Sequence, residues 1–443
     1  MELAEFVQSK AEELGVPGVA VGVFVDGKEI TAAYGVTSVD NPLPVDEKTL
    51  FHLASVTKTL TATAIMRLVD AGEIDLDAAV GRYVPEFTLD ERITVMNLLN
   101  HTSGMEWNLI DTSDSDETLA DFVAKMADLK MIAEPGDRAS YSQAAFNLAG
   151  RIIEKVTGLS YEKAIATLVL EPAGLANTFY DLSEVMTRRF VVGHNRDEDG
   201  TLRIGQPWKT WRSTMRGNNP GGGAVSSVSD LLRWARYHLD GDETLRRMQT
   251  PTVELKASTL GDGFGICWFL KDIGGVATIG HGGSGNGQFA DLLIVPERNF
   301  AVVSLSNAGP NGYPLNQAVL AWALEHYLGV TESAPEPLPY NEDLAREVAG
   351  RYEIDVMNLD VATDGAALTL AVGIKPEIRA ASEDEMPPDH PAAAIGFLDG
   401  DEYLITEGGL AGQRGYFSRD DNGAVVGIDI AGRVFRRAPA ARP

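Results

Sequence analysis

Between Ser55 and Val69, apolar residues stand at Val56, Leu60, Ala62, Ala64, Ile65, Met66, Leu68 and Val69, covering most of a helix's circumference. A helix apolar nearly all round has no face to give to water, so it must run through the interior of a layered domain. The same segment carries Lys58 in its first turn. Burying an ammonium there is expensive unless the amine has a task. Burial also disfavours the charged form, lowering the pKa toward that of a usable base. Ser55 lies three positions earlier, on the same helical face and within reach of the amine. A serine hydroxyl attacks at neutral pH only if a base takes its proton and fixed donors receive the oxyanion. The helix N-terminus adds free amides and a positive dipole end at Ser55. Ser55 is therefore the expected nucleophile and Lys58 its activator. The spacing recurs at Ser160-Tyr-Glu-Lys163, where the serine reads as an ordinary N-cap of a polar-faced helix.

Around this helix the pattern is β. Val19-Ala-Val-Gly-Val-Phe-Val25 ends at Asp26-Gly27, a two-residue hairpin signal, and a second strand is expected from Ile30 to Val36. Runs over Gly263–Phe269, Gly275–Gly280, Phe289–Val295 and Phe300–Leu305 follow at hairpin spacing, then a helix over Leu315–Leu328. They predict an antiparallel sheet that returns to meet the first hairpin. Residues 90 to 245 read as mainly helical, with long irregular connections of the kind that line a site. The prolines of Ser333-Ala-Pro-Glu-Pro-Leu-Pro339 mark a semi-rigid linker. Short alternating runs beyond it, such as Ala367–Val372 and Glu402–Thr406, point to a small antiparallel barrel or sandwich. The expected division is a catalytic domain over residues 1–331, a linker over 332–341 and a barrel over 342–443.

Charge and motif content remove several functions. A formal charge of -27 repels nucleic-acid phosphates and anionic lipid surfaces. No apolar run approaches the roughly 18 residues of a membrane span, and the N-terminus lacks a basic segment followed by an apolar one, so a cytoplasmic protein is expected. The lone cysteine, Cys267, excludes an intrachain disulfide framework and reads as buried strand. The seven histidines lack the paired spacing of a zinc site, and neither a Gly-x-Ser-x-Gly elbow nor a phosphate loop is present. Gly283-Ser-Gly-Asn-Gly287 lacks the dinucleotide spacing and precedes a strand. Neither a metal nor a cofactor is expected.

Two further elements can carry chemistry. Tyr141-Ser-Gln143 follows the turn Glu134-Pro-Gly-Asp137, and a phenol beside an ammonium loses its proton more easily. Gly280-His-Gly-Gly-Ser284 lies between the strand ending at Ile279 and the one beginning at Phe289. Its glycines allow a substrate close to strand backbone.

Taken in order, Ser55-Val-Thr-Lys58, Tyr141-Ser-Gln143 and His281-Gly-Gly283 resemble the three signature elements of class C β-lactamases, D-stereospecific aminopeptidases and related esterases. Ile93–Gly104, Phe146–Gly150, Glu171–Leu175 and Gly221–Ser227 look like stretches of the same family, so the resemblance covers residues 1 to 330. It implies an α+β fold, a β-lactamase-like antiparallel sheet flanked by helices with a helical subdomain. The segment beginning Ala349-Gly-Arg-Tyr352 looks like the lipocalin-like barrel that some members append. By position, Ser55 is acylated and Lys58 and Tyr141 exchange its proton. The backbone amides of Ser55 and Ser284 form the oxyanion hole, with Gln143, His281, Gly282 and Gly283 beside the substrate.

Two departures bear on substrate. Gln143 stands where the family usually has Asn, and adds a methylene. His281 stands where the lactamases usually have Lys, and an imidazole is largely neutral at pH 7. A weaker carboxylate anchor argues for small peptides, amides or esters whose reacting end bears no carboxylate. The reading is thus a serine amidase or peptidase, with carboxylesterase, β-lactamase and a non-catalytic penicillin-binding-type or interaction protein as alternatives. A homo-oligomer stays open. Trp107, Trp208 and Trp211 either line an apolar pocket or pack the loops that shape it.

Overall fold

The computed structural model describes every residue except 108, 110–117, 197–199, 206–212, 334, 382–388, 409 and 440–443. Trp208 and Trp211 lie outside the described residues. The chain opens with helix α1 (Leu3–Leu14) and the hairpin β1 (Gly18–Val25) and β2 (Lys28–Gly35). Asp26 and Gly27 both have positive φ, 51° and 73°, as the turn that joins right-twisted strands requires. Downstream come β3 (Val253–Glu254), β4 (Gly263–Phe264), β5 (Phe269–Ile273), β6 (Val276–Gly285), β7 (Gln288–Val295) and β8 (Phe300–Ser306). Together they form one eight-stranded sheet ordered β2-β1-β8-β7-β6-β5-β4-β3.

Alternation along the strands divides the interior in two. Val19, Val21, Val23, Leu293, Val295 and Val302 pack on one side with α1 and α5 (Gly312–Ala323). Ala20, Phe24, Leu292, Ile294 and Val303 face the other side, where α2 (Thr57–Asp70) and α4 (Val228–Leu239) lie. Each aliphatic side chain so buried contributes about 1.5–3 kcal/mol. Gly22 lets α4 approach, since a Cβ there would meet Val228 Cγ1 at 2.5 Å.

Every α2 residue from Thr57 to Met66 is buried. The threonines interleaved in it are compatible with burial because each hydroxyl is bonded. Thr57 Oγ1 accepts from the Ala224 amide, Thr61 donates to Pro220 O at 2.6 Å and Thr63 donates to Thr59 O at 2.8 Å. The run Gly263–Phe269, expected as a single strand, is instead broken into β4 and β5. Gly265 packs against Met248 O, and Cys267 takes φ 73° so that its amide can donate to Leu99 O. Cys267 is buried, as expected, but sits in the tight turn.

Beyond the prolines come α6 (Glu342–Val348) and eight strands: β9 (Gly350–Glu353), β10 (Met357–Thr363), β11 (Leu368–Ile374), β12 (His390–Phe397), β13 (Glu402–Ile405), β14 (Arg414–Arg419), β15 (Val425–Ile430) and β16 (Arg433–Arg437). They close into an antiparallel barrel. The barrel docks on the segment from Glu106 to Tyr141. Gly432 O accepts from the Tyr141 amide at 2.7 Å, Arg138 donates to the Tyr416 hydroxyl at 2.9 Å, and Lys130 pairs with Asp355. Among the described residues no helix is long and apolar enough to cross a membrane.

Candidate active site

Ser55 stands in a 3-10 turn, Ala54–Val56, that feeds directly into α2. Ala54 is held at φ 44°. A non-glycine residue there costs on the order of 1–2 kcal/mol, so the surroundings must enforce the turn. Lys58 Nζ lies 3.0 Å from Ser55 Oγ, 2.5 Å from Gln143 Oε1 and 2.7 Å from Gly221 O. The two carbonyl oxygens can only accept. A neutral amine therefore spends both N–H bonds on Gln143 and Gly221, and its lone pair faces the serine hydroxyl. Burial lowers the Lys58 pKa to about 7; a smaller effect of Cys267 opposes this, and Arg433 adds to it.

Ser142 N-caps α3 (Gln143–Thr157) through its hydroxyl, which accepts from the Ala145 amide. This fixes Tyr141 and Gln143 on either side of the helix start. Lys58 Nζ sits 5.0 Å from the Tyr141 ring centroid, over its face. The expected easing of the phenol is not found, because burial pushes its pKa up and outweighs the opposing effects of Ser55 and Arg433. The phenol faces Ser55 without a hydrogen bond of normal geometry. The extra methylene of Gln143 carries its carbonyl to the amine. Its Nε2 approaches Asn147 Oδ1 and Asn218 O, each at 3.5 Å.

The glycine-rich element is strand, a correction to its expected place between strands. β6 runs through Gly285, and the turn is Asn286-Gly287, both at positive φ. That Asn-Gly pair is itself a strong hairpin signal. β5 pairs with β6 only as far as Gly280 opposite Phe269, so from His281 to Gly285 that edge has no strand partner among the described residues. It lies against the Ser55 turn: a Cβ on Gly283 would be 2.1 Å from Leu53 O and 3.0 Å from Ser55 N. Ser284 is exposed and lines the cleft.

His281 is buried and is not among the residues that line the cleft. Because side chains alternate along β6, its ring is buried and stacks on Phe269 at 4.2 Å, with Tyr141 at 6.2 Å. Gly282 O, 2.7 Å from Nδ1, draws the proton to that nitrogen, and burial lowers the pKa to about 3. Gly282 and Gly283 also stand back from the cavity lining.

Sequence reasoning missed two side chains. His101, at φ 60°, accepts from the Ser142 amide and packs its ring, tilted by 33°, against Tyr141 at 4.4 Å. Arg433 reaches in from the barrel, its guanidinium carbon 5.0 Å from the Tyr141 centroid. Tyr141 is thus held between residues brought from four separate parts of the chain. A cavity of about 1010 Å³ opens in front of Ser55, lined by Ser55, Trp107, Tyr141, Gln143, Ser284 and Arg433 among others. Trp107 lines this cavity and also packs against the barrel core, a contact that was not foreseen for it. Among the described residues no group of three His, Cys, Asp or Glu side chains is gathered to hold a metal.

The Beta-lactamase family model matches residues 3–324, all of the sheet-and-helix body. Penicillin-binding protein 4 of Amycolatopsis lactamdurans is 33% identical over 66% of this chain and 81% of its own length. Protein flp of Staphylococcus aureus (strain COL) is 24% identical, and the match spans 61% of its length. Two solved structures cover 98% of both chains, barrel included. SurE has a TM-score of 0.77 at 25% identity and has also been solved with D-Leu; an octameric penicillin-binding protein homologue from Pyrococcus abyssi has 0.67 at 26%. A buried lysine on a serine one helical turn away, a tyrosine across from them and a free strand edge behind are thus set in a body matched by that model, and the chain belongs to the β-lactamase family.

Proposed function

We propose that the protein is a serine hydrolase acting through an acyl-enzyme, most suited to small peptides or amides. The observation that carries the reading is the 3.0 Å contact of a fully buried Lys58 amine with Ser55 Oγ. The neutral amine takes the hydroxyl proton as Ser55 attacks the carbonyl carbon. The Ser55 and Ser284 amides receive the oxyanion. The carbon–nitrogen bond then breaks, and the leaving amine takes a proton relayed from Lys58 through Tyr141. Water releases the acid and restores Ser55.

A raised Tyr141 pKa suits a donor to the leaving group better than a free phenolate. The SurE structure holding D-Leu supports a D-configured ligand here also. The octameric homologue supports extending self-association to this chain.

The test compares initial rates on p-nitrophenyl acetate, D- and L-alanine p-nitroanilide and a chromogenic cephalosporin for wild type and Ser55→Ala. Turnover is expected to vanish in the variant, with the D-anilide hydrolysed faster than the L-anilide by the wild type. Wild-type rates from Ser55→Ala would remove the nucleophile, and preference for the acetate or the cephalosporin would replace amidase by esterase or β-lactamase.

A further inference from the structure

Arg433 begins β16, on the barrel, yet its side chain lines the cavity in front of Ser55. The guanidinium lies over two aromatic faces, 5.0 Å from the Tyr141 centroid and 5.4 Å from that of Trp107. Two buried donors at this wall, Arg433 Nε and Trp107 Nε1, have no hydrogen-bond partner among the described residues. Asp429 is the carboxylate whose field reaches Arg433, and burial raises its pKa to about 7, so it only partly offsets the cation. A guanidinium held over aromatic faces by cation–π attraction presents a planar fork that matches the two oxygens of a carboxylate.

We propose that Arg433 is the carboxylate receptor of this cleft, and that preferred substrates bear a free carboxylate within about one residue of the scissile bond. The cation that lactamases carry on the strand element is absent at His281, and the barrel supplies another beside Tyr141. This reverses the substrate preference drawn from His281 alone. It also gives the barrel a part in selecting substrate. The inference rests on the serine-hydrolase reading above.

The experiment uses the full chain and two esters, O-hippuryl-phenyllactic acid and its carboxamide, which differ only in the charge beyond the scissile bond. The quantity read is the ratio of their kcat/KM values on one preparation, which is independent of the fraction of folded enzyme. Wild type is expected to favour the acid by about tenfold or more, as a charge-assisted pair allows. Arg433→Gln should bring the ratio near one, and Arg433→Lys should keep part of it. A wild-type ratio at or below one, or an unchanged ratio in Arg433→Gln, overturns the proposal. So does a wild type that hydrolyses p-nitrophenyl acetate through Ser55 but neither of these esters, an outcome that leaves the nucleophile standing.

Discussion

Lys58 concentrates the chemistry and the strain of this site in one group. Its pKa falls from 10.5 to about 7 on burial, so the unfolded chain binds the extra proton across that window. The contribution of Lys58 to stability therefore rises with pH from about 7 toward 10.5, and below about 7 the fold carries a buried ammonium. Activity follows the neutral amine: kcat/KM should climb with pH to a plateau, with a midpoint near 7. Gln143 Oε1, 2.5 Å away, favours the ammonium over the amine. Gln143→Leu should accordingly shift that midpoint to lower pH and reduce the plateau about tenfold, the expected effect of one unpaired buried donor. A pH profile of kcat/KM for both proteins decides the matter, and coincident midpoints would show that Gln143 does not set the base.

At the scale of elements, the site depends on one strand lying against one turn. Gly283 permits this, because a methyl group there would lie 2.1 Å from Leu53 O and 3.0 Å from Ser55 N. Backbone cannot swing aside as a flexible side chain does. Gly283→Ala should push β6 away from the Ser55 turn, costing about 1–3 kcal/mol in stability and lowering kcat/KM by more than about tenfold. Thermal unfolding and steady-state kinetics measure the two effects. Retention of both wild-type values would mean that the strand and the turn are not in register as described. The same logic applies across α3, whose first turn is held by Ser142 and by Trp107 O, which accepts from the Gln143 amide at 2.7 Å.

Over the whole molecule, 64 acidic residues against 37 basic ones leave a formal charge of -27. Ion pairs such as Lys130–Asp355 hold barrel to body, but exposed pairs contribute only about 0–1 kcal/mol each. The general repulsion should outweigh them. Since the screening length is about 10 Å at 0.1 M salt, the midpoint of thermal unfolding should rise as salt is added from ~0.01 to ~0.3 M. A midpoint that falls over this range would mean that the ion pairs dominate.

The elements with strict periodicity were readable in advance. The β1–β2 hairpin follows from alternation and Asp26-Gly27, and the buried course of α2 from its apolar circumference, which in turn made Ser55 and Lys58 stand out. These are local properties, in which near neighbours in the chain decide the outcome. The placing of His281 between strands was misjudged because the strand continues past Ile279, and alternation on a strand turns its ring inward. The easing expected of the Tyr141 phenol did not follow because its pKa depends on how much water is removed around it, a quantity set by residues far away in sequence. Arg433 carried no local signal at all: 292 positions separate it from Tyr141 (433 − 141), and only the docking of the barrel brings them together. Periodicity and spacing thus determined the sheet, the central helix and its serine and lysine. Burial, and the charges that line the cleft, came from contacts between distant segments, which exist only once the chain has closed on itself.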